Sequence, residues 1–433
     1  MDLRDFMQSS DLSKIERAVN PHLEMARIIH TLEEQTPGRP VLFEQVDGHP
    51  GWRVVAGPCA SRLNFGQALG VPAERLLFAL AQAMDEPVPP PLVDEAPCQQ
   101  VIERDVDLNR LPILTHLSAD AGPYITSGVA VIEDADHGRN VSFHRLLRLD
   151  ERRFAARLVE RRGTHTALGK ATHDLPVAVV IGCPLHVLLA ASMSPPADVD
   201  ELSIAHALAP TPLVKCQTLN LAVPAEAELI LEGRITHQLV AEGPFLDLTG
   251  TMDVVRQQPV IEIDCITHRR DPIYHALLPG GLEHKLLMGM PREPTIYAAV
   301  AEVARPLNVC ITPGGVSWLH AVVQIEKHGP DDARRAIEAA FRGHTSLKHV
   351  VVVDADVDPF NPSDVEWAIA TRFQADRDLV VLHDQPSSSL DPSAQHAPGR
   401  KARTAKMGLD ATIPWGAERA GFERVQYGRV DLV

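Results

Sequence analysis

Two acidic residues, Glu242 and Asp247, lie on either side of a Gly-Pro pair in the segment EGPFLD. A Gly-Pro turn can bring both carboxylates into one cleft, where their mutual repulsion raises the pKa of one and makes it a proton donor. Arg145, which ends the segment NVSFHR, carries a planar guanidinium that can hold a carboxylate through two parallel hydrogen bonds. These three residues are candidates for acid–base chemistry around a carboxylate.

A second group of polar residues has the donors that a hard divalent cation prefers. Asn140, His165 and Glu201 offer an amide oxygen, an imidazole and a carboxylate. Such a set suits Mn²⁺ or Mg²⁺, with a phosphate completing the coordination. Taken singly, each residue is more often an ordinary solvated or hydrogen-bonded side chain, so the sequence leaves open whether they meet. A metal-dependent hydrolase, with His165, Glu201 and Asp247 around a metal-bound water, is one alternative.

The composition is that of a globular protein with an excess of acidic residues. The chain has 433 residues, with 57 Asp and Glu against 41 Lys and Arg, giving a formal net charge of −16. Such a chain lacks the basic face that nucleic acid or an anionic membrane would need, so we expect neither partner. The sequence shows no long apolar run and no signal-peptide pattern, and its six Cys form no CxxC pair. We therefore expect a cytoplasmic protein.

Several common signatures are absent from the sequence. There is no GxGxxG, no GxxxxGK[ST], no HExxH and no GxSxG. Their absence argues against classical dinucleotide binding, P-loop chemistry, a zincin protease and a serine hydrolase.

The elements that must position these residues change in character along the chain. Helices are predicted after Pro21 and Pro72 in an N-terminal α/β segment, 1–97, whose last residues, PVPPPLVDEAP (87–97), read as a stiff linker. Short apolar runs bounded by Gly, Pro and Asp follow from residue 111 to about 300. They predict a mixed or antiparallel sheet that forms a partial barrel.

The last third of the chain, 301–433, alternates between strand and helix patterns. The order of the segments is β-α-β-α-β, which predicts a parallel sheet. A polar, Pro- and Ser-rich stretch over 386–403 is predicted to be a mobile loop, and a short tail follows it. The predicted strands and helices are 319–325, 331–342, 349–356, 363–373 and 379–382.

Five motifs in this chain resemble those of the UbiD family of reversible decarboxylases, and they span about residue 100 to 412 in the family's order. The resemblance implies an α/β (α+β) protein. It would have a split β-barrel flavin-binding domain over 98–300 and a flanking α/β oligomerisation domain over 301–433. The motifs are NVSFHR (140–145), VPAEAELILEG (223–233), EGPFLD (242–247), THRRDPIYHALLPG (267–280) and KMGLDAT (406–412).

The resemblance also implies prenylated FMN as cofactor, bound together with Mn²⁺ or Mg²⁺ and with K⁺. The family's ligands for the divalent metal correspond here to Asn140, His165 and Glu201. Its cofactor contacts correspond to a strand, a loop and a lysine near the C-terminus. These residues are Ser142, Phe143, His144, Arg145, Ala191, Ser192, Met193 and Lys406.

The family's catalytic network of Arg, Glu and a second acid corresponds to Arg145, Glu242 and Asp247, although some branches have Glu at the last position. The implied reaction is non-oxidative decarboxylation through a covalent adduct with the cofactor, which acts as an electron sink. Arg145 would orient the substrate carboxylate, and Glu242 would protonate the carbon that loses CO₂.

The substrate is expected first to be an aromatic or heteroaromatic acid and second a non-aromatic α,β-unsaturated acid. Residues 278–289 and the C-terminal loop are expected to shape the pocket. The implied partners are the carboxylic acid, CO₂, a flavin prenyltransferase that supplies the cofactor, and further copies of the chain in a dimer or hexamer. A non-catalytic flavin- or phosphate-binding protein is the remaining alternative.

Overall fold

The computed structural model of the protein describes residues 1–397 and 400–425. It divides into two compact units, Met1–Pro291 and a second unit that begins at Arg292. Within the described ranges, no helix has both the length and the apolar character needed to cross a membrane.

The first unit opens with a small α/β region. Both predicted helices are present, although the first begins three residues after Pro21, and a 3₁₀ turn separates the second from Pro72. Amphipathic spacing explains the first helix, which buries its apolar face. The elements are α1 (Leu3–Ser9), β1 (Ser13–Val19), α2 (Glu24–Gln35), β2 (Val41–Val46), β3 (Arg53–Ala56), α3 (Arg62–Leu69) and α4 (Leu76–Asp85).

The remainder of the first unit is rich in strands, as predicted. Its elements are β4 (Leu92–Val93), β5 (Val101–Glu103), β6 (Tyr124–Ile125), β7 (Val129–Asp134), β8 (Gly138–Phe143), β9 (Leu146–Arg148), β10 (Arg153–Ala156), α5 (Gly163–Lys170), β11 (Leu175–Ile181), α6 (Leu185–Ala191), α7 (Glu201–Leu208), β12 (Leu213–Lys215), β13 (Ala222–Pro224), β14 (Leu229–Glu242), β15 (Phe245–Leu246), β16 (Met252–Asp253), β17 (Arg256–His268), β18 (Ile273–His275) and α8 (Leu282–Gly289).

These strands form four sheets, of which one dominates. β18 runs parallel to β3 and completes the N-terminal sheet, β1-β2-β3-β18. β4, which lies inside the predicted linker, pairs in parallel with β12, so the linker contributes a strand. The large sheet has nine strands in the order β6-β9-β10-β17-β14-β11-β7-β8, with β5 beside β17, and all its ladders are antiparallel.

The connectivity of the large sheet requires it to curl. β8 forms one end of the strand order and β9 lies next to the other end, yet only His144 and Arg145 separate Phe143 from Leu146. Three residue steps span at most about 11 Å, so the two ends of the sheet lie side by side. No ladder closes these ends within the described residues. The sheet is therefore an open, curled one that agrees with the expected split barrel, and Arg145 lies at the split.

Both faces of the large sheet are covered by apolar side chains. Val129 and Val131 of β7 pack into one buried cluster, whereas Ala130 and Ile132 of the same strand pack into another. This alternation is the period of two that a strand imposes on its side chains. The strand is thus fixed in register from both sides, which positions the neighbouring β8 and the residues that follow it.

The second unit is built on a five-stranded sheet in the order β19-β20-β21-β23-β22. The predicted parallel sheet is only partly correct, because β19 and β22 pair antiparallel with their neighbours. Only the inner ladders, β20 with β21 and β21 with β23, are parallel. The elements are α9 (Glu293–Ala301), β19 (Arg305–Ile311), β20 (His320–Glu326), α10 (Asp332–Gly343), β21 (His349–Asp354), α11 (Pro362–Arg372), β22 (Leu379–Pro386) and β23 (Arg403–Ala411).

Two predictions for the end of the chain are wrong. The predicted tail contains β23, an inner strand of the sheet. The first part of the predicted mobile loop is held in place, because Ser387, Ser388 and Asp391 are buried and Lys348 forms an ion pair with Asp391 at 3.1 Å. Two residues of that loop, 398 and 399, lie outside the described ranges.

Candidate active site

Arg145 is the centre of a cluster of carboxylates at the split of the large sheet. Its Nε and Nη2 donate to the two carboxylate oxygens of Glu242 at 2.9 and 3.0 Å, the two-pronged geometry anticipated from the sequence. The same Nη2 donates to Asp253 at 2.8 Å. Asp247 approaches Nη1 at 3.9 Å, a weaker contact. The structure thus brings together Arg145, Glu242 and Asp247 and adds Asp253, which the sequence analysis missed.

The backbone after β14 explains how these acids converge. Glu242 ends the strand and is fully buried, and Gly243 follows it at a φ of 96°. A side chain at Gly243 would also meet the carbonyl of Val254 at 3.1 Å, so glycine is required there. The chain then forms the hairpin of β15 and β16, which returns Asp253 to the cluster.

Aromatic side chains line the cluster and shield Glu242. The Tyr124 hydroxyl donates to Glu242 at 3.1 Å and accepts a hydrogen bond from the Gly243 amide at the same distance. The ring of Phe245 lies 4.2 Å from the ring of Tyr124 and 5.1 Å from the Arg145 guanidinium carbon. The environment is therefore polar at the Glu242 carboxylate and apolar around it, so this carboxylate is shielded from solvent.

A histidine and an aspartate of this region, His116 and Asp120, were also missed by the sequence analysis. His116 is buried against Phe245, and neither of its ring nitrogens has a hydrogen-bond partner among the described residues. Burial lowers the pKa of His116 to about 3, so its imidazole is neutral. Asp120 accepts hydrogen bonds from the amides of His116 and Leu117 at 3.1 and 2.8 Å. The HxxxD spacing at 116–120 was the only sequence signal for this pair.

His284 lies in the segment 278–289, which was expected to shape the pocket. Burial lowers the pKa of His284 to about 4, and Asp247 and Arg145 lie near enough to act on it electrostatically. Its Nδ1 accepts a hydrogen bond from the Gly280 amide at 3.0 Å. The neutral ring is thereby fixed beside the carboxylate cluster.

The predicted metal ligands are brought together in part. The Asn140 amide donates to Glu201 at 3.1 Å, and the Val141 amide donates to the other Glu201 oxygen at 2.9 Å. Asn140 Oδ1 is buried without a hydrogen-bond partner, and burial raises the pKa of Glu201 to about 7. A buried amide oxygen without a hydrogen-bond partner, next to a buried carboxylate, fits a divalent metal.

The third predicted ligand, His165, lies on the helix that touches this pair. A side chain at Gly163, the first residue of α5, would meet Asn140 Oδ1 at 2.6 Å, so the start of the helix packs directly on the asparagine. His165 itself is exposed, and its Nδ1 accepts a hydrogen bond from the Arg161 amide at 3.4 Å. Its role as a metal ligand stays a prediction.

The alternative hydrolase site is not formed. In the part of the chain that the structure describes, one group of three His, Cys, Asp or Glu residues has its potential metal-ligand atoms within 4.8 Å of one another. This group is Asp134, Asp136 and His137. The Lys170 ammonium pairs with both aspartates of that group. His165, Glu201 and Asp247 therefore do not enclose a common metal.

Alternate residues of the predicted cofactor strand bind the helix α5. His144 Nε2 lies 2.9 Å from the Thr164 hydroxyl and 3.2 Å from the Ser142 hydroxyl, while Nδ1 lies 3.2 Å from the Arg157 carbonyl. Burial lowers the pKa of His144 to about 4, so the ring is neutral, with Nδ1–H as donor. Phe143 packs against the apolar cluster that also contains Val141.

The remaining predicted cofactor residues lie in two places. Ala191 and Met193 are buried at the end of α6, and the Ser192 hydroxyl between them donates to the Leu189 carbonyl at 2.8 Å. Lys406 lies on β23 in the second unit, where its ammonium donates to the Thr345 carbonyl at 2.8 Å. It is a buried residue of a strand and not part of a solvated tail, and its contact with a cofactor stays a prediction.

Comparison with known families identifies three consecutive matching regions. Residues 3–84, 92–282 and 285–411 match the N-terminal, Rift-related and C-terminal domains of 3-octaprenyl-4-hydroxybenzoate carboxy-lyase, the UbiD family. The predicted boundaries at 97 and 300 are not tested by these matches and stay predictions.

Similar proteins cover nearly the whole chain. The anhydromevalonate phosphate decarboxylase of Methanosarcina mazei is 44% identical over 98% of this chain and 99% of its own. The UbiD-class enzyme HmfF from Pelotomaculum thermopropionicum, solved in complex with FMN, is 40% identical, with a TM-score of 0.93 over 100% of this chain and 98% of that one. An evolved dimeric form of HmfF, solved with prFMN, is 38% identical, with a TM-score of 0.89 over the same shares. The chain therefore belongs to the UbiD family and is a UbiD-type decarboxylase, a carboxy-lyase.

Proposed function

We propose that this protein decarboxylates a non-aromatic, α,β-unsaturated acid that carries a phosphate ester, with prenylated FMN as cofactor. The carrying observation is the 44% identity over almost the full length to an anhydromevalonate phosphate decarboxylase. That name denotes a dehydrated, and hence unsaturated, hydroxy acid with a phosphate group. The similarity therefore favours a non-aromatic α,β-unsaturated acid, the second substrate class expected from the sequence, over an aromatic or heteroaromatic acid.

The residues that would hold the cofactor fit the group. Asn140 Oδ1 is buried without a hydrogen-bond partner beside the buried Glu201 carboxylate, and His165 lies on the helix that packs against Asn140. A Mn²⁺ or Mg²⁺ held by these residues would bind the flavin phosphate. The prenylated flavin supplies an electron sink for the electrons of the breaking C–CO₂ bond. A K⁺ ion and a flavin prenyltransferase as cofactor supplier stay predictions, as does assembly into a dimer or hexamer.

Glu242 is the residue proposed to return a proton to the substrate. Loss of CO₂ leaves an electron pair on the adjacent carbon, and one proton at that carbon completes the product. The buried Glu242 carboxyl is held in one orientation by Arg145 and by the Tyr124 hydroxyl, and the aromatic surroundings exclude water. Such fixed geometry places the proton donor at a single position in the pocket.

Arg145 has more potential partners than it can bind equally well. Glu242 and Asp253 take its hydrogen bonds at 2.8–3.0 Å, while Asp247 lies at 3.9 Å. A small rotation of the guanidinium towards Asp247 or towards a substrate carboxylate would release Glu242 for proton transfer. Asp247 thus lies close enough for Arg145 to exchange its hydrogen bonds with Glu242 for one with Asp247.

The test is expression with and without a flavin prenyltransferase, followed by measurement of CO₂ release. Protein made with the prenyltransferase is expected to decarboxylate anhydromevalonate phosphate, whereas a panel of benzoic and furoic acids should react at least about 100-fold more slowly. Protein made without it should be inactive. Faster turnover of an aromatic acid, or full activity with plain FMN, would refute the proposal. The absence of turnover on any acid would favour the non-catalytic alternative.

A further inference from the structure

Arg157 lies next to Arg145 on the large sheet. The ladder between β9 and β10 pairs Ala156 with Leu146, and its continuation places Arg157 opposite Arg145. The Arg157 amide accordingly donates to the Arg145 carbonyl at 3.1 Å. Directly opposite residues project from the same face of a sheet with their Cβ atoms about 5 Å apart. Two guanidinium groups therefore extend side by side from the wall of the active site.

A third arginine lies diagonally across the sheet. The register of β10 against β17 places Arg157 opposite Gln258, two residues from Arg256, which faces Glu242 in the ladder of β14 and β17. The Leu158 amide donates to the Gln258 side chain at 2.8 Å, which supports this register. Arg157 thus lies between two other arginines.

Arg157 differs from its two neighbours in forming no ion pair, although Glu242 and Asp253 lie near enough to act on it electrostatically. Arg145 binds Glu242 and Asp253, and Arg256 forms an ion pair with Asp253. Across residues 1–397 and 400–425, no carboxylate forms an ion pair with Arg157, whose side chain donates only to the Leu158 carbonyl, at 2.6 Å.

The surroundings of Arg157 disfavour its charge. Burial lowers the pKa of Arg157, and the nearby charges of Arg256 and Arg145 lower it further, while Asp253 and Glu242 act in the opposite direction. Like charges directly opposite one another in a sheet are destabilising unless an anion compensates them. A half-buried guanidinium that forms no ion pair and lies opposite Arg145 in the sheet is therefore suited to an anionic ligand.

We propose that Arg157 binds the phosphate of the substrate. The inference rests on the proposed function, which supplies a substrate with two acidic groups. The substrate carboxylate must lie at Glu242, where the proton is returned, and Arg145 is already bound there by carboxylates. Arg157 lies one rung away, so it can hold a second acidic group a few bonds from the first. The fork of its guanidinium matches two phosphate oxygens.

Binding of isopentyl monophosphate to the prenylated-FMN-loaded protein tests this site. The probe carries the phosphate and no carboxylate, so it reports the subsite without turnover. Arg157→Gln is expected to weaken its binding at least about tenfold, which corresponds to one charge-assisted hydrogen bond. Arg157→Lys, which keeps the charge and loses the fork, should lie in between. Arg153→Gln, on the same strand and paired with Asp150 away from the cluster, is the matched control and should bind normally.

The kinetic comparison uses anhydromevalonate phosphate and the same acid without its phosphate. Arg157→Gln should raise KM for the phosphorylated acid at least tenfold and leave the dephosphorylated acid unaffected. Unchanged probe binding together with unchanged KM in both Arg157 variants would overturn the proposal. Lower flavin content with normal probe binding would also overturn it, because the anion would then be the flavin phosphate. Arg157-dependent probe binding without turnover of the phosphorylated acid would support the subsite and refute the proposed function.

Discussion

Replacement of Arg145 by Lys keeps the positive charge but removes the planar guanidinium group. Arg145 makes two hydrogen bonds to Glu242 and one to Asp253, at 2.8–3.0 Å, from a single planar group. An ammonium keeps the charge but donates from one point, so it cannot reproduce the two-pronged contact with Glu242 while it reaches Asp253. We therefore expect Arg145→Lys to fold and to bind flavin, but to turn over slowly.

The size of the effect follows from the hydrogen bonds that are lost. The lysine is expected to keep one of the three charged hydrogen bonds, and each lost bond is worth about 1.5 kcal/mol or more. If both lost bonds act in the transition state, the barrier rises by about 3 kcal/mol, which slows the reaction about 100-fold. If Arg145 formed only a surface ion pair, its contribution would be about 0–1 kcal/mol. A role in the transition state and a surface ion pair therefore predict clearly different rates for Arg145→Lys.

The assay is CO₂ release by the prenylated-FMN-loaded variant, with flavin content and melting temperature measured on the same sample. Arg153→Lys is the control, because Arg153 also binds a carboxylate, that of Asp150 at 2.7 Å, but on the exposed end of β10. It should retain the wild-type rate. Turnover by Arg145→Lys within threefold of wild type would refute the role of the guanidinium fork.

Three further substitutions test the acid, the metal site and a buried carboxyl. Glu242→Gln keeps the shape but has no acidic proton, so CO₂ release should fall at least about 100-fold at normal flavin content; an active variant would exclude Glu242 as the acid. Glu201→Gln should lose metal and flavin together, measured by elemental analysis and absorbance, because the two share the cation; an unchanged metal content would place the ligands elsewhere. Burial, reinforced by Glu283, raises the pKa of Glu33 from 4.5 to about 7. Because the folded state then holds this proton more tightly, wild-type stability should fall relative to Glu33→Gln as the pH rises from about 4.5 to 7, by at most about 3 kcal/mol. The prediction would be contradicted if urea unfolding gave the same difference in free energy of unfolding between the two proteins at pH 5 and at pH 8.

Only those residues of the carboxylate cluster that lie within a recognisable sequence motif could be predicted. Glu242 and Asp247 stand in one short segment, so their proximity could be anticipated, and Arg145 belongs to a second recognisable segment. Asp253 could not be found in this way, because the hairpin of β15 and β16 returns it to the cluster. Arg157 was missed because an arginine at the end of a strand usually faces solvent, and only the ladder register reveals its neighbour.

The strand β23 shows a different limit of sequence analysis. It contains Gly408, a residue that weakens strands and favours the prediction of a tail. In the structure, Ile337 of α10 packs so closely over this position that a side chain there would overlap it. The glycine thus permits contact between helix and sheet, and this requirement becomes visible only once the helix is in place.

The strand order of the second unit has a consequence for biosynthesis. β22 leaves the ribosome before β23, yet β23 must end between β21 and β22. Until Ala411 has been made, β21 exposes an unpaired edge, and such an edge can template the wrong strand or a neighbouring chain. We therefore expect nascent chains that stop between residues 387 and 411 to aggregate, and the second unit to mature only after β23 has been made.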